Sequence, residues 1–132
     1  MKKVDTSRRV LFVEDISDTR DLVEFSLKQD GFEVVTAQTA EEGLTQARAN
    51  SFALILLDIG LPDKDGLELC REIRRFDQQT PILFYTAFAD LLDMNEAAKV
   101  GAQGCLRKPE DTPRLGEIAL RLIEETRQTK ET

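Results

Sequence analysis

The sequence predicts an α/β protein: a doubly wound, five-stranded parallel sheet with five helices on its two faces. Three observations predict it. Short apolar runs rich in Val, Ile, Leu and Phe alternate with longer stretches whose apolar residues recur three or four apart. One run, Phe52-Ala53-Leu54-Ile55-Leu56-Leu57, is apolar without alternation, as a central strand covered by helices on both faces must be. The chain has 132 residues, the length of one ordinary domain, and no repeat of solenoid period.

The first strand is Val10-Leu11-Phe12-Val13. A helix follows from about Ser17 to Gln29, with Ser17 or Asp18 as N-cap and Leu22, Val23, Phe25, Ser26 and Leu27 as its buried face. Gly31 ends it. The second strand is Glu33–Ala37. Thr39 caps the next helix, through Ala49, with Glu42 at the capping-box offset. The third strand is the apolar run that ends at Asp58. A turn, Leu61-Pro62-Asp63-Lys64-Asp65-Gly66, leads into a helix to about Phe76 that buries Leu69, Ile73 and Phe76. Pro81 opens the fourth strand, Ile82–Thr86. The fourth helix reaches about Val100 and stops at Gly101. Gly104–Arg107 is the fifth strand, and a last helix from about Thr112 to Thr126 carries a stripe of Leu115, Ile118, Ala119 and Leu122, widened by Ile123.

Strict alternation of strand and helix gives an open parallel sheet. Right-handed crossovers point every strand the same way, so all five C-termini open on one edge. The order 2-1-3-4-5, that of flavodoxin-like folds, is adopted and not read from the residues. It places a ligand crevice where strands 1 and 3 diverge. The domain is expected to span residues 9–127, with tails at 1–8 and 128–132.

Composition narrows the function. A net charge of −7 repels a phosphate backbone, which argues against nucleic-acid binding by this chain alone. Arg71, Arg74 and Arg75 lie among Glu68 and Glu72, as on a solvated helix face. The two cysteines, Cys70 and Cys105, sit in apolar stretches and are expected as buried free thiols. With no histidine, Ser-His and Cys-His dyads are excluded. The N-terminus has no apolar core of a signal peptide, and no run approaches membrane-spanning length, so a cytoplasmic protein away from membranes is expected.

Polar groups follow four of the five strands. Glu14 and Asp15 follow the first, Asp58 the third, Thr86 and Ala87 the fourth, and Lys108 and Pro109 the fifth. Carboxylates gathered at one crevice repel: two unit charges about 4 Å apart cost about 4 kcal/mol at an effective dielectric of about 20. A raised pKa or a hard cation must compensate. Mg2+ binds through one or two carboxylates plus phosphate oxygens. Asp15 and Asp58 suit direct ligation, with Glu14 acting through water. Lys108 adds a positive charge and Thr86 a hydroxyl. Such a set suits attack of a carboxylate on a phosphoryl group to form an acyl phosphate.

These residues resemble the receiver domain of two-component response regulators, from about Arg9 to about Arg127. Phe12-Val13-Glu14-Asp15 is similar to the family's acidic pair. The segment from Leu56 through Asp58, Gly60 and Pro62 to Gly66 is similar to its phosphoacceptor segment. Tyr85-Thr86-Ala87 is similar to the switch-hydroxyl segment, and Gly101-Ala102 with Leu106-Arg107-Lys108-Pro109 to its end.

The resemblance implies that Asp58 is phosphorylated by a sensor histidine kinase or a histidine phosphotransfer protein. It implies Mg2+ (or Mn2+) held by Glu14, Asp15, Asp58 and the backbone carbonyl of Gly60. Thr86, Ala87 and Lys108 would meet the phosphoryl group, and the Lys108-Pro109 bond would be cis. The chain would not be an enzyme in the ordinary sense, catalysing only its own aspartyl phosphorylation and dephosphorylation. Its output would go to a downstream protein target or a fused output domain.

One departure concerns Cys105, which stands where the family usually carries an aromatic switch residue. A weaker or different response is therefore expected on the face of the fourth helix, fifth strand and fifth helix. Tyr85, beside Thr86, points to the opposite face and is not an obvious substitute. In the family the position of Phe88 flanks the phosphoryl site; its ring is expected either to hinder an attacking water or simply to pack on a neighbouring loop. Other classes fit less well. A flavin protein needs a phosphate-cradling loop where Glu14 and Asp15 stand. A haloacid-dehalogenase-type phosphatase needs an aspartate where Gly60 stands. Rossmann and P-loop fingerprints are missing. The competing reading is a phosphorylation-independent docking module with the same fold.

Overall fold

The computed structural model describes residues 7–87 and 94–131. Its elements are β1 (Arg9–Val13), α1 (Ser17–Gln29), β2 (Glu33–Ala37), α2 (Ala40–Ala49), β3 (Leu54–Leu57), α3 (Gly66–Arg74), β4 (Ile82–Thr86), α4 (Met94–Lys99), β5 (Gly104–Arg107), a 3-10 turn (Thr112–Arg114) and α5 (Leu115–Glu131). All pairings are parallel, in the order β2-β1-β3-β4-β5. The expected fold class and strand order are both observed.

Alternate residues of each strand feed two cores, as a period of two requires. Leu11, Val13, Ile55, Leu57, Ile82 and Phe84 face α2, α3 and α4, meeting Ala40, Leu69, Ile73 and Ala97. Phe12, Leu54, Leu56, Leu83 and Tyr85 face α1 and α5, meeting Val23, Leu27, Leu115, Ala119 and Ile123. β3 is buried along its length, which explains why its sequence does not alternate.

Several local expectations are corrected. α1 begins at Ser17, but its N-cap position is Ile16, and no side chain caps it. Only Val23 and Leu27 are buried on that helix, while Leu22 and Phe25 are 53% and 63% exposed. The stretch Leu22–Leu27 is apolar on more than one face, so its period alone does not say which face docks. Phe76 lies beyond the end of α3 and is exposed; Cys70 takes the buried place instead. The last segment opens with the 3-10 turn and continues as α-helix to Glu131, past the expected end at Thr126. Cys70 is a buried free thiol donating to the Val100 carbonyl at 3.2 Å, and burial lifts its pKa to about 11. Cys105 is only half-buried.

The expected caps at Thr39 and Gly31 are present. Thr39 Oγ1 accepts from Glu42 N at 3.1 Å, and Gly31 follows α1 with φ +89°. α2 has a second cap that comes from far along the chain. Both carboxylate oxygens of Asp63 accept from its first turn, Ala40 N at 2.9 Å and Glu41 N at 3.0 Å. Partial burial raises the Asp63 pKa, but these two backbone donors outweigh it and hold the carboxyl below its ordinary 3.8.

Asp63→Ala is expected to cost about 1 kcal/mol in denaturant unfolding at neutral pH. A depressed acid stabilises the fold above its unfolded pKa and loses that contribution as pH falls through its folded value. The gap between variant and wild type should therefore close below pH 3.8. A gap that stays constant down to pH 2.5 would rule out the charged cap.

Candidate functional site

Register brings the acids together. Val13 pairs with Leu57, and Asp58 N donates to the Val13 carbonyl at 3.1 Å. Glu14 and Asp58 therefore leave neighbouring strands at one level, with Asp15 next to them. One carboxylate oxygen from each of Glu14, Asp15 and Asp58 lies within 4.8 Å of the other two. Glu14 is fully buried, Asp58 is 5% exposed and Asp15 is exposed.

Lys108 enters from the end of β5, where its backbone N donates to the Thr86 carbonyl at 3.1 Å. Its ammonium donates to Glu14 Oε1 and stands 3.4 Å from Asp58 Oδ2. Burial raises the Glu14 pKa; the Lys108 hydrogen bond opposes this, and the Asp58 charge adds to it, leaving the carboxyl above its ordinary value. Glu14 is further fixed by its neighbours. Its Oε2 accepts from Ile16 N at 3.3 Å, and its carbonyl accepts from Arg20 at 2.9 Å.

Asp58 Oδ1 accepts from Ile59 N at 2.8 Å. The loop behind it is tight, with Gly66 N donating to the Ile59 carbonyl at 2.9 Å. Three carboxyl groups share the crevice with one ammonium. That donor set, all oxygen and rich in carboxylate, fits a hard divalent cation.

The sequence-predicted residues fall as follows. Thr86, at the end of β4, is fully buried, and Ala87 follows it, exposed. Pro109 follows a cis Lys108-Pro109 bond. Gly60 lies exposed two residues after Asp58. Cys105 pairs with Phe84 and packs, half-buried, against the core on the α4 side. Phe88 lies outside the described residues.

Sequence reasoning missed two contacts, one at this site and one in the loop that follows β3. The Tyr85 ring stands 5.5 Å from Lys108 Nζ, and its hydroxyl hydrogen-bonds Thr112. Asp63 caps α2, as described above. Both contacts join residues more than twenty apart in sequence. A local pattern carries no signal for either.

The site thus joins acids from the ends of β1 and β3 to a lysine from the end of β5, on the C-terminal edge of a parallel sheet. The family described as the response regulator receiver domain matches residues 10–120. The response regulator ArlR of Staphylococcus saprophyticus is 36% identical over 81% of this chain and 48% of its own length. The transcriptional regulatory protein AfsQ1 of Streptomyces coelicolor is 41% identical over 76% of this chain and 44% of its own. The chain thus spans a little under half the length of these relatives. Among solved structures, a CheY-like receiver domain from Methanospirillum hungatei superposes with TM-score 0.87 and 30% identity, covering 92% of this chain and 98% of that one. The regulator TrrA of Thermotoga maritima, in complex with Mg2+-BeF, gives TM-score 0.80 and 29% identity over 87% and 98%. The chain belongs to the response regulator receiver domain family. No helix among the described residues is long and apolar enough to cross a membrane.

Proposed function

We propose that Asp58 accepts a phosphoryl group from the phosphohistidine of a sensor histidine kinase or a histidine phosphotransfer protein. The observation that carries this is a buried carboxylate at the end of an apolar strand, 3.4 Å from Lys108 Nζ and close to two further carboxylates. An Asp58 carboxylate oxygen attacks phosphorus while the P–N bond breaks and its electron pair returns to the imidazole. Glu14, Asp15, Asp58 and the Gly60 carbonyl would hold Mg2+, or Mn2+ in its place. Bound there, the cation neutralises charge on the phosphoryl oxygens. Lys108 leaves Glu14 to meet one phosphoryl oxygen, and the Thr86 hydroxyl and Ala87 amide meet others. Water later hydrolyses the acyl phosphate, and Phe88 is assigned to slow that step.

Ile16, Leu22 and Phe25, exposed beside Asp15 and along α1, offer a protein donor an apolar footing next to the acceptor. The phosphorylated form would bind a downstream protein or a fused output domain, in the cytoplasm and without touching nucleic acid itself. Cys105 favours the competing reading, a docking module that needs no phosphorylation.

Incubation with Mg2+ and acetyl phosphate separates the two. The wild type should gain the mass of one phosphoryl group, and Asp58→Asn should gain none. A wild-type mass that does not change, or a gain that survives Asp58→Asn, would sink the phosphoacceptor reading.

A further inference from the structure

We propose that Tyr85 and Thr112 form a mechanical link from the acid site to the start of α5. Occupancy of Asp58 is then reported on the α5 face of the sheet and not through position 105. The inference rests on the phosphoacceptor reading above.

The link begins at Lys108. Its ammonium touches Glu14, stands 3.4 Å from Asp58 and lies 5.5 Å from the Tyr85 ring centroid, within cation–π range. Tyr85 is 1% exposed and packs against Phe12 at 6.0 Å between ring centroids, tilted by 52°. A ring so enclosed cannot swing out, so it is a fixed post.

The tyrosine hydroxyl hydrogen-bonds Thr112 Oγ1, at the first residue of the 3-10 turn that leads into α5. Leu115, the first residue of α5, is buried in the same cluster as Tyr85. The segment between Lys108 and Thr112 is closed on itself. Asp111 N donates to the Arg107 carbonyl at 2.9 Å, Thr112 N to the Pro109 carbonyl at 3.1 Å, and Arg107 N to Asp111 Oδ2 at 2.8 Å. Residues 107–112 are therefore braced into one turn, which carries Lys108 at its start and Thr112 at its end.

A phosphoryl group on Asp58 adds negative charge that draws the lysine away from Glu14. That displacement pulls on a segment tethered to Tyr85 at its far end. The response is a shift between residues 107–112 and the fixed ring, passed to the first turn of α5.

Among the described residues, no ring on the opposite face stands over Lys108 as Tyr85 does. Cys105 faces the α4 side beside Phe84, with a small side chain and no ring to reorient. Tyr85 is on the wrong face to replace the usual aromatic. It is on the right face to read the lysine. In this role Tyr85 is a positioning residue: it acts through Lys108 and Thr112, not on the phosphoryl group.

The test uses the full chain with Mg2+ and acetyl phosphate, followed by intact mass and by amide chemical shifts. In the wild type, phosphorylation should shift amides at 59, 86 and 107–119. In Thr112→Val, which keeps the shape and removes the hydroxyl, the shifts at 112–119 should fall to about half or less. Those at 59 and 86 should remain. Thr112→Ser, which restores a hydroxyl, should restore them, a rescue that a packing role would not produce. Tyr85→Phe should behave as Thr112→Val does. If it fails to fold, the threonine pair, on the half-buried side of the bond, still decides.

Full-sized shifts at 112–119 in Thr112→Val, or no recovery in Thr112→Ser, overturn the link. A wild type that gains phosphoryl mass while those results hold leaves the phosphoacceptor reading standing and removes only this inference. A wild type that gains no mass removes both.

Discussion

Lys108→Met should cost about 3 kcal/mol of folding stability at neutral pH without a divalent cation. The substitution keeps most of the apolar stem and deletes only the ammonium. What remains is a fully buried Glu14 carboxylate facing Asp58, itself 5% exposed, with no positive charge between them. Breaking one side of a buried ion pair costs about 3–5 kcal/mol, because the surviving charge is left without water or partner. Exposed Asp15 can keep its hydration, which favours the lower figure. For a domain with about 5–15 kcal/mol in total, this is a large share.

Two controls tie that loss to charge. Burial and the Asp58 charge already hold the Glu14 pKa up, against the pull of Lys108. In the variant that pull is gone. An acid whose folded pKa is raised binds its proton more readily in the fold than in the unfolded chain. Stability then falls as pH rises through the interval between the two values, beginning at Glu14's ordinary 4.5. The deficit of Lys108→Met should accordingly shrink as pH is lowered toward 5. Adding Glu14→Gln to Lys108→Met should recover most of the loss, a coupling that independent sites would not show. Urea unfolding across pH measures all of this. A deficit under 1 kcal/mol at pH 7.5, or one that does not depend on pH, would show that the lysine does not hold the acids together.

The fold was legible because its signals are local and repeated. β3 announces itself as Leu54–Leu57 without a polar interruption, and Thr39 with Glu42 marks α2 within four residues. The edge carrying Glu14, Asp58, Thr86 and Lys108 was legible for the same reason: each residue ends a strand or directly follows one. Strand order was not in the pattern, since alternation alone fits several windings.

What escaped depends on which way an element faces, or on partners distant in sequence. α1 could have docked by Leu22 and Phe25 as well as by Val23 and Leu27. The sheet selects the second pair. Asp63 looks like a turn former in Pro62-Asp63-Lys64-Asp65-Gly66, and only the packed loop shows it capping α2. Tyr85 was read by its face alone. That reading was right about the strand, but it could not foresee a lysine side chain lying over the ring from the end of β5.

Gly66→Ala is expected to damage phosphoryl acceptance far more than its position in α3 suggests. Helix propensity argues the other way: alanine is better than glycine by about 1 kcal/mol inside a helix. Gly66 is buried at the first position of α3, against the backbone that carries the acceptor. A Cβ there would overlap the Asp58 carbonyl oxygen and stand 3.0 Å from both the Asp58 carbonyl carbon and the Ile59 Cα. These are backbone atoms and cannot rotate aside. Either α3 backs away or the 58–59 peptide moves, taking the Asp58 carboxylate out of register with Lys108. Overpacking of this kind costs about 1–3 kcal/mol, and the absence of any flexible neighbour favours the upper end. A misplacement of about 1 Å at a reacting group costs about 100-fold in rate. Gly66→Ala should therefore take up phosphate from acetyl phosphate about 100-fold more slowly than wild type, even at a temperature where it is fully folded. Gly31→Ala provides the comparison. It strains a φ of +89° at the end of α1, away from the acids, and should lower stability by about 1 kcal/mol with no change in rate. A folded Gly66→Ala that is more stable than wild type and phosphorylates at the wild-type rate would mean that propensity, not close approach to Asp58, governs this position.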